Sequence, residues 1–578
     1  MNPLLAEYHV DALDGLGSLY WTKEIFDNLS PIYGSTYPDI LGGVGVTFEV
    51  GSSRGLVQES DAGDVTFRST IRKHLHTGIA TVRAGVSEKE RLFEYQKEFF
   101  QSALEQADDQ SVRAYVFGDE NDETLTRKFL DLLLKHRLEV YELSEDLEQN
   151  GTTFRAGNGY LVPTDQVNYR IVHDIFEANT SYPDSVFYDI TAWSLVHGYG
   201  IEYEELASGN YTDYSGPQVS ELPEHDGEVK GGTSDYAYLL EWSDYNAPPA
   251  LYHLIDKGVT ARTAHKPFTA PTAEGNREFG YGSIAVAVQE QEDLSPEALQ
   301  TLLAETAEKY DVNFHAVETG YTTSGIDLGS TNMQVVEKPK AALVFGAGTS
   351  AYEAGEAWFA LNKHLGLGVT KLKKDQLPGT SLDRYNTLIM VDGNYGDWDE
   401  DTVSRIKGWV QDGGVLIADE GAAEWAVEKE LVSEDLLAED TDTSEILERH
   451  DYEEQADRRR SESIPGVILE ADIDPSHPIA FGVPDRQQLF IKDNDTHFKQ
   501  SKNAFGTVAQ YTDEPFVGGH LIEENNERVR NTAAIIARSE GSGNVILFSE
   551  NPNFRSYWHT TSRLFLNAVL FGRNIRVY

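Results

Sequence analysis

The chain has 578 residues, 40% apolar and 11% aromatic, enough for about two to four domains with their own cores, and it carries 96 acidic against 47 basic residues. A net charge of −49 disfavours nucleic acid and anionic membrane as partners, because both need positive surface. The absence of cysteine excludes a disulfide framework, a thiolate zinc site and a cysteine nucleophile.

The acidic excess has two readings, a device for solubility and an adaptation to high salt, where carboxylates are screened and stay hydrated. No stretch approaches the roughly 18 uncharged apolar residues of a membrane span. The opening "MNPLLAEYHVDALDGLGSLYW" has neither a basic nor an apolar leader region, so no signal peptide is expected, and the compartment stays open.

In chain order, the apolar, Gly-rich run "YPDILGGVGVTFEVGSSRG" (Tyr37–Gly55) reads as a strand that ends on a carboxylate, Glu49. A helix follows over "EKERLFEYQKEFFQSALEQA", with Leu92, Tyr95, Phe99, Phe100, Ala103 and Leu104 at helical spacing. "VRAYVFG" (Val112–Gly118), "ETLTRKFLDLLLKH" (Glu123–His136) and "LEVYEL" (Leu138–Leu143) read as strand, helix and strand, which predicts a right-handed parallel crossover. Residues 215–235 read as a polar insertion.

From Glu337 the apolar strands "AALVFG", "NTLIMVDG", "GGVLIADEG" and "NVILFSE" alternate with helices, and "SRLFLNAVLFG" (Ser562–Gly572) closes the chain. Fully apolar strands between helices predict a doubly wound parallel sheet. The acidic stretch 427–465 reads as an exposed excursion. Segments 112–143 and 341–417 share an opening pattern that suggests an internal repeat. The expected fold class is thus multidomain α/β, with units at 1–108, 109–336 and 337–578, the last two both doubly wound, flavodoxin-like parallel-sheet units.

On physical grounds Glu49 is a costly group to bury without a partner. It reads either as an ion pair with Arg54 or as a general base facing a cleft. "GSTYPDILGGVGVTFEVGSSRG", with "NPLLAEYHVDALDGLGSLYWTKEIFD" (Asn2–Asp27) and "VTFRSTIRKHL" (Val65–Leu75), resembles the last part of the zinc carboxypeptidase (carboxypeptidase A-like) catalytic domain over residues 1–105. The resemblance implies C-terminal peptide hydrolysis with Zn2+, a peptide or protein substrate, and Glu49 as the group that carries a proton from the zinc-bound water. It also implies that the zinc ligands precede Glu49. Only His9 does so here, within a helix-like stretch, and the one H-x-x-E, His136–Glu139, follows Glu49 across a helix end. His74 and His76 alternate as on a strand but have no third ligand. The expectation is a carboxypeptidase-like piece without its metal site. The alternatives are a non-catalytic peptide-, glycan- or protein-binding module and an accessory subunit completed by a separate front half.

"KAALVFG", "TLIMVDGNYGDW", "GGVLIADEGAAEW" and "GNVILFSENPNFRSYW" resemble class I glutamine amidotransferase-like domains. The nucleophile cysteine of such a domain is missing: the turn after "VLIADE" continues with Gly421, Ala422 and Ala423. The expectation is the fold without the amidotransferase chemistry. "GAGTSAYEAG" is a poor dinucleotide fingerprint. Asp392, Asp397 and Trp398, near strand ends, are candidates for a ligand cleft or for ordinary loop positions.

Overall fold

The computed structural model describes residues 1–22, 30–31, 33–182, 187, 190–207, 211–437 and 449–575. The protein is multidomain α/β, as the alternation of apolar strands and amphipathic helices implies.

Three long helices dominate the described residues up to 109, with a short antiparallel pair at Val57–Gln58 and Val65–Thr66. Helix α1 (Asn2–Asp14) packs on α2 (Phe67–Ser87), which is followed by α3 (Lys89–Asp109). Thr66 caps α2 by accepting the Ser69 N–H. α2 buries Thr77, Ala80 and Ala84, and leaves Phe67, Ile71, Leu75, Ile79, Val82 and Val86 exposed along the opposite side. The predicted strand over Tyr37–Gly55 is not formed. Tyr37–Ile40 is one helical turn, and residues 43–53 carry no regular element. A Cβ on Gly45 would lie 1.8 Å from the Ser35 carbonyl oxygen, so this run is held by close backbone approach and not by a ladder.

Next come β1 (Val112–Phe117), α4 (Glu123–Lys135), β2 (Tyr141–Leu143), β3 (Tyr160–Pro163), α5 (Tyr169–Phe176), β4 (Tyr203–Ala207) and β5 (Ser215–Gln218). Their sheet runs β4-β1-β3-β2-β5, with every neighbour pair antiparallel. The doubly wound parallel sheet expected for 109–336 is not formed: the crossover from β1 through α4 to β2 is split, because β3 lies between its two parallel strands and pairs antiparallel with both. Four strands in the order fourth-first-third-second around two helices make a ferredoxin-like βαββαβ unit.

The same unit then repeats. It comprises β6 (Val229–Lys230), β7 (Ala237–Leu240), α6 (Ala247–Asp256), β8 (Arg262–Ala264), a hairpin of β9 (Phe268–Thr272) and β10 (Gly275–Phe279), β11 (Ile284–Ala287), α7 (Pro296–Tyr310) and β12 (Phe314–Val317). Within its six-stranded sheet the inner order is β12-β7-β11-β8, again antiparallel. The internal repeat therefore links 112–207 with 237–317, and not 112–143 with 341–417. The polar stretch 215–235 supplies the edge strands β5 and β6.

The last unit has nine strands in one sheet. β13 (Ala341–Phe345), β14 (Thr370–Lys373), β15 (Thr387–Met390), β16 (Val415–Asp419) and β21 (Gly543–Phe548) form a parallel half in the order β14-β13-β15-β16-β21. β17 (Val467–Ile473), β18 (Gln487–Lys492), β19 (Thr507–Gly518) and β20 (Ala533–Glu540) extend it antiparallel, β20 beside β21. Helices α8 (Ala351–Phe359), α9 (Glu400–Gln411), α10 (Glu420–Glu428) and α11 (His559–Phe571) cover it. Within the acidic stretch 427–465, residues 438–448 lie outside the described residues, and the helix Gln455–Glu462 is largely exposed.

Arg563 on α11 joins the units. Its guanidinium donates to Asp122 Oδ2 at 3.0 Å, to the Ser243 carbonyl at 2.6 Å and to the Trp242 carbonyl at 2.8 Å. Asp122 also caps α4, accepting the Leu125 N–H, and accepts the Tyr245 N–H of the second unit.

Candidate functional site

In a sheet of this order the strand that precedes the reversal and the one that follows it open a crevice at their C-terminal ends. Here those strands are β13 and β15. The turns after them are tied together: Ser350 N–H donates to the Asp392 carbonyl at 2.8 Å, and Asn394 N–H to the Gly348 carbonyl at 2.8 Å. Ser350 caps α8, and Glu353 three residues on is the acid of an S-x-x-E capping pattern.

Three carboxylates meet beside these turns: Glu353 on α8, Asp392 after β15, and Glu420 at the turn from β16 into α10. Their ligand oxygens all lie within 4.8 Å of one another. Asp392 N–H donates to Glu353 Oε2 at 2.9 Å, and Gly421 N–H donates to Asp392 Oδ1 at 3.2 Å. Gly421 permits this approach, since a Cβ there would stand 2.7 Å from Asp392 Oδ1. Glu420 has a φ of 43°, a left-handed conformation that a non-glycine residue holds only against a cost of roughly 1–2 kcal/mol.

Asp419, the last residue of β16, adds a fourth acid. It is 4% exposed, and its Oδ1 has no hydrogen-bond partner. Among the described residues none of these four carboxylates has a cation within ion-pair distance. Burial, and then the Asp392 charge, push Glu353 up to about 7. Burial, and then Glu353 and Asp392, hold Asp419 well above the usual carboxylate range. Burial, and then Glu353 and Asp493, do the same to Glu420. Three buried carboxylates whose charged forms are disfavoured in this way, set against Asp392, can share protons or hold a metal ion.

Elsewhere in the same unit a buried acid is treated differently. Lys492 is fully buried and donates to the Thr496 carbonyl at 2.7 Å, to Asn494 Oδ1 at 3.1 Å and to Glu550 Oε1 at 3.4 Å. That acid has its cation. The triad does not.

Of the residues singled out from the sequence, Asp392 stands in the cluster. Asp397 instead pairs with Lys374 at 2.7 Å, and Trp398 packs in the core against Tyr395 and Trp425. Glu353 and Glu420 were missed; the only local signals were the S-x-x-E pattern and the polar "DE" that ends an apolar strand.

The residues of the carboxypeptidase reading are dispersed. Glu49 is exposed, on no strand, with no ion pair to Arg54 among the described residues. His9 is buried, bonded to Thr81 Oγ1 at 2.9 Å and set edge-on to Phe48. His136 ends α4 and meets the Tyr37 hydroxyl at 3.1 Å. His74 and His76 lie on helix α2, where His76 Nδ1 bonds the Arg72 carbonyl.

No family model matches the chain, and no curated protein does. Among solved structures it is similar to PurLQS from Thermotoga maritima (14% identity, 40% of this chain and 96% of that one, TM-score 0.27). It is also similar to a ThuA-like protein from Bacteroides uniformis (13%, 39% and 88%, TM-score 0.26) and to a β-galactosidase from Bacillus circulans (12%, 40% and 31%, TM-score 0.23). At such TM-scores and identities these likenesses assign the chain no activity. None of the three is a carboxypeptidase. With no family model or curated protein behind it, and with no strand under Glu49, the assignment of residues 1–105 to a zinc peptidase is withdrawn, together with peptide hydrolysis as the chain's activity.

Proposed function

We propose that the C-terminal α/β unit binds a hard divalent cation, Mg2+, Ca2+ or Mn2+, through Glu353, Asp392 and Glu420 in the crevice at the ends of β13, β15 and β16. The observation that carries this reading is the uncompensated convergence of the three carboxylates, with the unpartnered Asp419 Oδ1 beside them. Carboxylate oxygens suit such cations. Zinc, which favours histidine and cysteine donors, fits less well, since the group offers oxygen alone.

A bound cation would neutralise the cluster, release the protons that burial holds on it, and offer its free positions to an oxygen atom of a ligand. Glu420 takes the strand-to-helix turn where nucleophile elbows place their reactive side chain. In that place it serves here as a metal ligand, in keeping with a cysteine-free chain. The test is titration calorimetry on chelator-treated protein at pH 8 with each cation. Saturable binding that Glu420→Gln abolishes supports the reading, and absence of binding overturns it.

A further inference from the structure

A second site lies away from the carboxylate cluster, where the two ferredoxin-like units and the loop 475–484 of the large sheet enclose a cleft of about 750 Å³. One wall is the edge of the second unit's sheet. There Lys230 on β6 and His315 on β12 are direct partners in the ladder, so both side chains leave the same face. Facing them is the β9–β10 hairpin, which brings Arg277 and Phe279 to the cleft. Phe279 sets its ring edge-on to His315 at 5.9 Å.

Three observations about these groups point the same way. His315 lines the cleft and is 2% exposed, and its buried Nδ1 has no hydrogen-bond partner. A buried ring nitrogen left open carries a desolvation cost that a ligand would relieve. Next, burial, and then the charges of Arg277 and Lys230, push His315 down to about 4, so the imidazole is neutral and has two cations close to it. Finally, the chain itself puts a carboxylate there. Glu274, at the exposed tip of the hairpin, rests 3.8 Å from His315 Nδ1 and 4.0 Å from Lys230 Nζ. At those distances the Lys230 charge draws it, and it forms no hydrogen bond with either group.

We propose that this cleft binds the oxyanion of a small molecule, a carboxylate or a phosphate, between Lys230, Arg277 and His315 Nδ1, with Glu274 as the internal group that the ligand displaces. Phe279 and Tyr281 give the ligand's body an apolar surface. Five acids share the cleft, and each has its own partners or stands out in solvent: Glu120 pairs with Arg155 at 2.6 Å, Glu123 with His225 at 3.5 Å, and Asp244 accepts from the Thr124 hydroxyl at 2.8 Å. Glu241 is engaged by the Gly280 N–H at 3.2 Å and the Ser283 hydroxyl at 3.1 Å, and Glu278 is exposed on the hairpin.

The experiment is calorimetric titration of the full chain with inorganic phosphate and, separately, with acetate, at fixed ionic strength. The site predicts saturable binding of at least one anion. Losing a charge-assisted hydrogen bond should weaken it by about tenfold or more in Arg277→Ala and in Lys230→Ala. Glu274→Ala should instead tighten binding, because it removes the competitor, and this opposite sign is not what general destabilisation produces. In the wild type the anion should also raise the His315 titration, read from its imidazole resonance. Tighter binding of phosphate identifies a phosphorylated ligand, and tighter binding of acetate a carboxylated one. Absence of binding for both anions, or affinities indifferent to all three substitutions, overturns the site. Neither result bears on the cation cluster, which shares no residue with this cleft.

Discussion

Replacing Glu353 with glutamine should make the cation-free protein more stable at pH 8 and much less so near pH 5. Glu353 titrates at about 7 in the folded chain against 4.5 for an unhindered glutamate. The folded state therefore holds a proton that the unfolded state has lost between those values, and stability falls as pH rises through this window. Carrying the group from 4.5 to about 7 corresponds to about 3 kcal/mol of repulsion and desolvation, borne by the folded state above pH 7. Glutamine mimics the protonated acid. It keeps an oxygen for the Asp392 N–H and a side chain that suits the capping pattern. The gain at pH 8 should thus approach about 3 kcal/mol, which for a unit of 150–250 residues is about 6–12 °C in the thermal midpoint. Differential scanning calorimetry at pH 5 and pH 8, with a chelator present, measures it. A variant that is no more stable than wild type at pH 8, or that gains equally at pH 5, would refute the claim that Glu353 carries an uncompensated charge.

Other consequences can be checked on the same protein. Arg563→Ala removes the cation from the buried Asp122 pair and should cost about 3–5 kcal/mol, seen as a lower melting transition and as proteolysis between the units; a loss below 1 kcal/mol would show that the junction does not depend on this pair. Gly421→Ala places a methyl group against Asp392 Oδ1 and should weaken cation binding in calorimetry, whereas unchanged affinity would mean that Asp392 is not a ligand in its present position. Raising NaCl from about 0.15 M to about 2 M should raise the melting midpoint by screening the acidic surface, and a flat or falling midpoint would argue against self-repulsion as a leading cost. Val82→Lys with Val86→Lys should shift the midpoint by less than about 0.5 kcal/mol equivalent, since both side chains stand exposed on α2.

Much of the last unit was legible in the sequence because its strands are buried on both faces. "AALVFG", "NTLIMVDG", "GGVLIADEG" and "NVILFSE" are near-continuous apolar runs, and they fall on β13, β15, β16 and β21. The middle of the chain misled because its clearest strand–helix–strand run hides an insertion: β3 enters between β1 and β2 from some twenty residues downstream, and local pattern carries no record of that partner. Tyr37–Gly55 misled for the opposite reason. Its apolar residues look like a strand, but its glycines serve close packing against Ser35 and Pro38. The carboxylate triad was only one-third visible. Glu353, Asp392 and Glu420 come from three different strand-to-helix turns, and only the order of the sheet brings them together. No spacing within the sequence encodes such a meeting.

The most direct measurement of the central claim is titration calorimetry of chelator-treated wild type with Ca2+, Mg2+ and Mn2+ at pH 8 and pH 6. One saturable site is expected, which weakens toward pH 6 as the raised carboxylates take up protons and is lost in Glu420→Gln. Absence of a saturable site for all three cations, or a site whose affinity ignores both pH and Glu420, would contradict it.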